Sequence, residues 1–375
     1  MTFTVSNKTL SEVLTMLTKV VSSKNVLPIL DNVIFKVEGD LLHLTAADPE
    51  NVMTATIGVT EATGEGDFAV NAKDMMDASK NLQDTPLTFT TEENIVKISY
   101  TNGLFSLPTE KTDEFPKVMD INENEAVIID IPEGMLQENI ARTVFATAQD
   151  ELRPVMNGIY FDLTDESLNV VASNGHHLVR NRLTTIKATE TNRGAFILPK
   201  KPAAILKNIL KKGEDTVTIK ADTQRVEVTT ENFTLNSRLI EGRYPNYNSV
   251  IPKANPNILT VDRVTLIAAL KRTIPFANDS SNLVKVHVKM GSLQLEAEDY
   301  DFSKTATERM TCDYGGNDMT IGMKGSTLVE ILDNIKCAEI EMQLADPSRA
   351  ALILPAQQPD DQEILMLQMP MLIND

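Results

Sequence analysis

The sequence predicts an α+β fold built three times over. Three observations predict it. A pattern of helix, strands, helix, strands recurs at about 125-residue intervals along the 375 residues. Within each copy, runs of alternating apolar and polar residues adjoin through short turns. Asp48, Asn174 and Asp299 fall at matching places in the three copies. Antiparallel strand runs with helices set to one side are the α+β arrangement. The period exceeds a solenoid unit, so each copy is expected to be a domain.

Each copy opens on an amphipathic helix. In the first, Leu10, Val13, Leu14, Leu17 and Val21 recur at helical spacing, with Ser6 or Thr9 available as N-cap. In the second, Pro132 stands where a first-turn proline is tolerated, ahead of Met135, Leu136, Ile140 and Val144. In the third, Asp262 precedes Val264, Leu266, Ile267 and Leu270. A strand pair follows each helix: 31–37 with 42–48 around Glu38-Gly39-Asp40, 157–163 with 168–174, and 285–290 with 293–299. Second helices are expected over 72–82, 201–210 and 326–335. Further strand pairs come next: 87–90 with 96–100, 217–220 with 225–229, and 340–344 with 350–354. The first two copies then share an aromatic–proline step, Phe115-Pro116 and Tyr244-Pro245, and the third ends on Met369-Pro370. Polar stretches without periodicity at 119–125 and 252–256 give domains 1–120, 126–251 and 257–375.

Composition is that of an ordinary globular chain, 42% apolar and 23% charged. The two cysteines, Cys312 and Cys337, lack metal-ligand spacing, cannot make a disulfide framework, and suit a reducing cytoplasm. The N-terminal residues have no signal-peptide pattern, and no stretch approaches the roughly 18 apolar residues of a membrane span. A soluble, cytoplasmic protein is expected. The net charge of −18 argues against simple nucleic-acid binding, since phosphate contacts need Lys and Arg.

The three tandem copies carry further residues in a fixed order: Leu27-Pro28-Ile29-Leu30, Arg153, Asn157-Gly158, Ser173-Asn174-Gly175-His176-His177-Leu178, Glu241-Gly242-Arg243-Tyr244-Pro245-Asn246-Tyr247, and Met369-Pro370-Met371. In this order and register the whole chain resembles the beta subunit of bacterial DNA polymerase III, the sliding clamp. The resemblance implies a head-to-tail homodimer, a closed ring of six similar domains with helices lining the hole and sheets outside. It implies a processivity factor that encircles duplex DNA without sequence preference and tethers polymerases to it, loaded by a separate ATP-dependent loader. A ring is retained by topology, so weak phosphate contacts suffice and an acidic exterior around a basic bore accommodates the net charge.

Carried over residue by residue, the DNA-contact positions are Lys24, Lys73, Gln149 and Lys200, with Lys201 beside them; one extra residue within 149–153 shifts the usual pattern at Gln149. The second helices are lysine-rich in the first two copies and poorer in the third. The slot for peptides from polymerases, the loader and repair proteins comprises Arg153, Met156, Ser173, Gly175, His176, His177, Leu178, Pro245, Ser249, Val250, Leu367, Met369, Pro370 and Met371. Such peptides carry Gln and two bulky apolar residues, and Met and Leu offer them an adaptable surface. His177 and Ser249 stand where the best-known members carry arginine, and the tail runs on through Leu372-Ile373-Asn374-Asp375. The dimer contact would join Phe105 and Leu107 to Pro275 and Phe276, with Pro275 replacing an aliphatic residue.

Blander readings exist for each feature taken alone. The lysines suit solvated helix faces, Ser173-Asn174-Gly175 suits a plain turn, and Phe105 and Leu107 suit a strand facing its own core. His176-His177 suits a surface pair, since neighbours on a strand point to opposite faces. No phosphate-binding loop, nucleophile elbow or zincin motif is present. No cofactor, metal or catalytic role is expected. The rivals are a nucleic-acid-processing enzyme using the two histidines and a β-rich repeat protein that does not meet DNA.

Overall fold

The structure is a computed structural model that describes residues 1–22, 25, 27–118, 120–123 and 125–373. The first copy runs β1 (Thr2–Ser6), α1 (Asn7–Leu17), β2 (Asn32–Glu38), β3 (Leu41–Ala47), β4 (Asn51–Gly58), β5 (Thr60–Thr63), β6 (Gly66–Asn71), α2 (Ala72–Ser79), β7 (Pro86–Thr91), β8 (Ile95–Tyr100) and β9 (Gly103–Pro108). The second runs β10 (Val127–Pro132), α3 (Glu133–Thr143), β11 (Gly158–Leu163), β12 (Leu168–Ser173), β13 (His177–Leu183), β14 (Gly194–Pro199), α4 (Lys200–Ile209), β15 (Thr216–Ala221), β16 (Arg225–Thr229) and β17 (Phe233–Arg238). The third runs β18 (Asn257–Asp262), α5 (Arg263–Thr273), β19 (Leu283–Lys289), β20 (Ser292–Asp299), β21 (Lys304–Thr311), β22 (Asp313–Tyr314), β23 (Met319–Lys324), α6 (Gly325–Asp333), β24 (Glu339–Leu344), β25 (Ala351–Pro355) and β26 (Gln362–Gln368).

A strand leads directly into the first helix of every copy. Pro132 is therefore the last residue of β10 and not a first-turn helical residue. Of the two candidate caps, Ser6 does the work: its hydroxyl accepts from Thr9 N–H at 3.4 Å. Asp262 caps α5 through Thr265 N–H at 2.7 Å, and Asn71 caps α2 through Lys73 and Asp74. The second helices stop short of their expected ends: α2 ends at Ser79, with Leu82 N–H closing a turn on Ser79 O.

Contact density groups the chain into two units, 1–137 with 204–239 and 138–203 with 240–375. The first holds a five-stranded sheet, β5-β1-β7-β8-β9, and an eight-stranded sheet, β10-β15-β16-β17-β4-β3-β2-β6. The second holds a nine-stranded sheet, β14-β11-β12-β13-β26-β25-β24-β18-β22, and a four-stranded sheet, β21-β20-β19-β23. The middle copy gives four strands to each unit, because its neighbours are joined to it by sheet hydrogen bonds and not by linkers alone. Asn236 of β17 faces Val52 of β4, and Leu367 of β26 faces Leu178 of β13. The stretches between copies are pinned as well. Asn122 N–H donates to Asp222, and Asn255 is buried with its amide on the Gln343 and Ala350 carbonyls.

The matched residues Asp48, Asn174 and Asp299 have one physical role. Each side-chain oxygen accepts the two backbone N–H groups that turn the chain: Glu50 and Asn51, His176 and His177, Asp301 and Phe302. A second repeated device closes each copy. After its last long strand the chain bridges back to the strand before the second helix: Glu110 to Ala69, Ile240 to Ile197, Met371 to Gly322. Met369-Pro370 precedes this bridge, whereas Phe115-Pro116 and Tyr244-Pro245 follow it, so the C-terminal step is not the third member of the aromatic–proline series.

Cores are mainly aliphatic in both units, with stacked aromatic pairs in each: Phe3 on Phe89 with ring centroids 4.8 Å apart and Phe35 on Phe68 at 5.2 Å in the first, and Phe161 on Phe196 at 5.0 Å in the second. Among the described residues no helix is long and apolar enough to cross a membrane.

Candidate functional site

Five segments of the second unit converge on one apolar floor: the 3-10 turn Pro154–Met156, the turn between β12 and β13, β13 itself, the 3-10 turn Tyr247–Val250, and the end of β26. The floor comprises Leu178, Leu367, Tyr244, Tyr247, Ile197 and Leu352 with Val155 and Tyr160 against them. Tyr160 and Tyr244 stack at 4.7 Å, and Tyr247 meets Tyr160 edge-on at 6.1 Å. The Tyr247 hydroxyl donates to Asp162 at 2.9 Å, and burial first, then the neighbouring carboxylate, pushes its pKa far up. Burial likewise pushes Tyr244 up to about 12. Both phenols are neutral at any physiological pH.

Around this floor stand the residues expected from sequence. Gly175 lies at φ +90°, where an L side chain is strained, and a Cβ there would sit 3.2 Å from Arg153 Nη1. Arg153 is exposed and its Nε donates to Asp150 at 2.8 Å. Ser173 shapes the turn: its hydroxyl donates to His177 O at 2.9 Å and accepts from Gly175 N–H at 3.1 Å. The tail is tied to the same turn by Met369 N–H on His176 O at 2.8 Å. Met156, Leu178 and Leu367 are buried, Pro370 and Met371 half-buried, and His176, Pro245, Ser249, Val250 and Met369 exposed. Ser249 is turned inward on itself, its hydroxyl donating to Asn246 O at 2.7 Å.

His177 sits beneath the rim. It is 5% exposed, stacks on Phe145 at 5.7 Å, and its buried Nε2 has no hydrogen-bond partner among the described residues. Burial, with His176 and Lys324 nearby, lowers its pKa to about 4. It therefore supports the strand as a neutral ring and offers no charge to a ligand. Sequence reasoning missed the tyrosine floor; the spacing of Tyr244 and Tyr247 was the one signal that pointed to it.

The DNA-contact candidates divide. Gln149 and Lys200 line one open hollow together with Arg153, Asp150 and Asn174. Lys200 and Lys201 open α4, and Lys73 lies in the first turn of α2 and is exposed. Lys73 and Lys200 make no ion pair among the described residues, whereas Lys80 pairs with Asp77 and Lys271 with Asp333. Lys24 lies outside the described residues.

Phe105 and Leu107 lie on β9, the edge of the five-stranded sheet. Both are half-buried, and Phe105 stacks on Tyr100 at 5.0 Å. Pro275 and Phe276 form an exposed turn after α5, which packs beside β21, the edge of the four-stranded sheet. Arg272 holds Glu308 of β21 through two bonds of 2.9 and 2.8 Å.

Comparison with known proteins covers the whole length of the chain. Models of the N-terminal, central and C-terminal domains of the DNA polymerase III beta subunit match residues 1–120, 130–246 and 248–372. The beta sliding clamp of Pseudomonas putida is 27% identical over 367 residues, covering 98% of this chain and 99% of that one. That of Caulobacter vibrioides is 27% identical over 375 residues, at 98% and 99% coverage. The solved Pseudomonas aeruginosa clamp bound to griselimycin has a TM-score of 0.93 at 28% identity, and the Thermotoga maritima beta subunit 0.90 at 26%, each covering 100% of both chains. The chain belongs to the family of DNA polymerase III beta subunits, the sliding clamps.

Proposed function

We propose that two copies of this chain pair head to tail into a closed ring that encircles duplex DNA, with the lysine-bearing helices lining the hole. One observation carries the reading. Each boundary inside the chain is a strand pair between neighbouring copies, β17 on β4 and β26 on β13. The two strands left over by that rule, β9 and β21, are each an edge of their sheet, unpaired on one side among the described residues. β9, Gly103-Leu-Phe-Ser-Leu-Pro108, carries no charged residue, so only its closing proline guards it against pairing. A heterologous contact whose rotation closes makes a ring.

On this reading the domains are 1–120, 126–251 and 257–375, and Phe105 and Leu107 meet the partner's Pro275 and Phe276. Lys24, Lys73, Gln149, Lys200 and Lys201 touch phosphates weakly enough to slide. The tyrosine-floored slot takes an extended peptide with one Gln and two bulky apolar residues from polymerases, the loader or repair proteins. Relatives from P. aeruginosa and Bartonella birtlesii bound to griselimycin support a ligand site in the family. The protein acts by tethering in the cytoplasm, without turnover or cofactor.

The native mass gives the first test: about twice 41.4 kDa is expected, and a stable monomer at micromolar concentration contradicts the ring. The second is topological. Ring loaded on nicked circular DNA should stay through a salt wash and leave when the DNA is cut. Equal retention on circular and linear DNA would refute encirclement.

A further inference from the structure

The C-terminal segment is held at two points beside the slot. Met369 N–H donates to His176 O, and Met371 N–H to Gly322 O on β23, each at 2.8 Å. Gln368 adds an amide bond to Lys324 O at 3.0 Å. The Met371 bridge is the third member of a series in which the strand residue is Ala69 in the first copy and Ile197 in the second. Only the third copy puts glycine there. Its φ is not positive, so the backbone does not demand glycine; the space does. A Cβ on Gly322 would lie 2.5 Å from Met371 O, 3.0 Å from Leu283 Cδ1 and 3.1 Å from Ile373 Cγ1. Ile373 is half-buried, while Leu372 before it is 86% exposed.

We propose that Gly322 is a seat for the tail: Ile373 packs where the other copies carry a side chain, and this latch holds Met369-Pro370-Met371 as one wall of the peptide slot. Gly322 is a positioning residue, and the inference rests on the slot reading above. Its physical content is pre-organisation. Two methionines on a free chain end must be ordered when a peptide binds, and a latched tail has lost that freedom beforehand.

Two variants test it. Gly322→Val puts a branched side chain into the seat. A chain ending at Leu372 removes Ile373 and leaves every strand intact. The probe is a fluorescein-labelled peptide of roughly ten residues with one Gln and two adjacent bulky apolar residues, titrated by anisotropy. Exchange of the Met371 amide and native mass are measured in parallel. Expected for both variants are a Kd about five-fold weaker, mainly through faster dissociation, a Met371 amide that loses protection, and an unchanged mass. Peptide affinity that is unchanged or tighter while Met371 exchanges freely overturns the latch. So does full Met371 protection in the chain ending at Leu372. Failure of the unaltered chain to bind the peptide removes the slot, and the latch with it.

Discussion

At the scale of single residues, His177 makes a pH prediction whose sign is fixed by burial. Its pKa falls from the ordinary 6.5 to about 4 in the folded chain. The unfolded chain takes up a proton as pH falls through 6.5, and the folded chain does so only near 4. Stability at this site is therefore level above 6.5 and is lost as pH falls from 6.5 towards 4, by at most about 3 kcal/mol. His177→Phe keeps the stack on Phe145 and removes both the titrating proton and the unpartnered Nε2. Urea unfolding at pH 7.5 and pH 5 should show a smaller acid-induced loss in the variant than in the unaltered chain. Parallel losses would mean that His177 is solvated when folded. Asn174 is the second informative residue. Asn174→Ala strips acceptors from His176 and His177 N–H and should cost about 1–2 kcal/mol. The exchange rates of those two amides report whether the turn has opened. Asp48→Ala should do the same to Glu50 and Asn51 in the first copy.

At the scale of elements, α4 carries a charge pattern that works against its own stability. Lys200 and Lys201 open the helix with no acidic residue in the first turn, where the helix dipole already presents positive charge. Replacing both with Gln should leave thermal unfolding unchanged or raise stability by about 0.3–1 kcal/mol. The same change should weaken salt-resistant retention on DNA, flattening its salt dependence by about one unit for each phosphate a lysine had neutralised. Retention identical to the unaltered chain across a salt series would make these lysines mere solvated surface. Elements also separate what sequence reads well from what it does not. Helices α1 and α5 and the hairpins β2–β3, β11–β12 and β19–β20 were legible, because periodicity and a nearby turn sit in one window. The strands β1, β10 and β18 were not, since each passes into a helix with no intervening turn and its alternation merges with the helical pattern. The strands β4, β13, β17 and β26 were missed for a different reason: each follows its predecessor through a connection and also pairs across copies with a partner far away in sequence, and it is that second pairing that no local turn signals. The slot divides the same way. Its rim residues follow from resemblance, while the tyrosine floor and Gly322 are assembled from segments that meet only in the fold.

At the scale of the whole molecule, the repeat supplies the register of the proposed ring seam. Tracing the ladders inward from each first helix makes Ser106 the counterpart of Asn236 and Leu367. The three turns make Thr305 the counterpart of Val52 and Leu178. Asn236 faces Val52 and Leu367 faces Leu178, so Ser106 should face the partner subunit at its Thr305, and Phe105 at its Ala306. The seam then differs from the internal boundaries in one respect. Arg238 and Met369 donate N–H groups to Glu50 and His176, but their counterpart is Pro108, which has none. On the proposed register the ladder would end one bond sooner at the seam, a difference of about 0.5–1.5 kcal/mol that would favour opening there. The register is checked by a cysteine pair. Ser106→Cys with Thr305→Cys places two thiols directly opposite across the seam, within reach of a disulfide for neighbouring antiparallel strands. Mild oxidation should convert the chain to a covalent dimer of about twice 41.4 kDa on a non-reducing gel, and should trap loaded ring on circular DNA. Leu104→Cys with Thr305→Cys, displaced along the strand, should cross-link far less, and the unaltered chain with Cys312 and Cys337 sets the background. Equal cross-linking by both pairs would show that β9 and β21 meet in another register, and no cross-linking by either would show that the two edges do not meet.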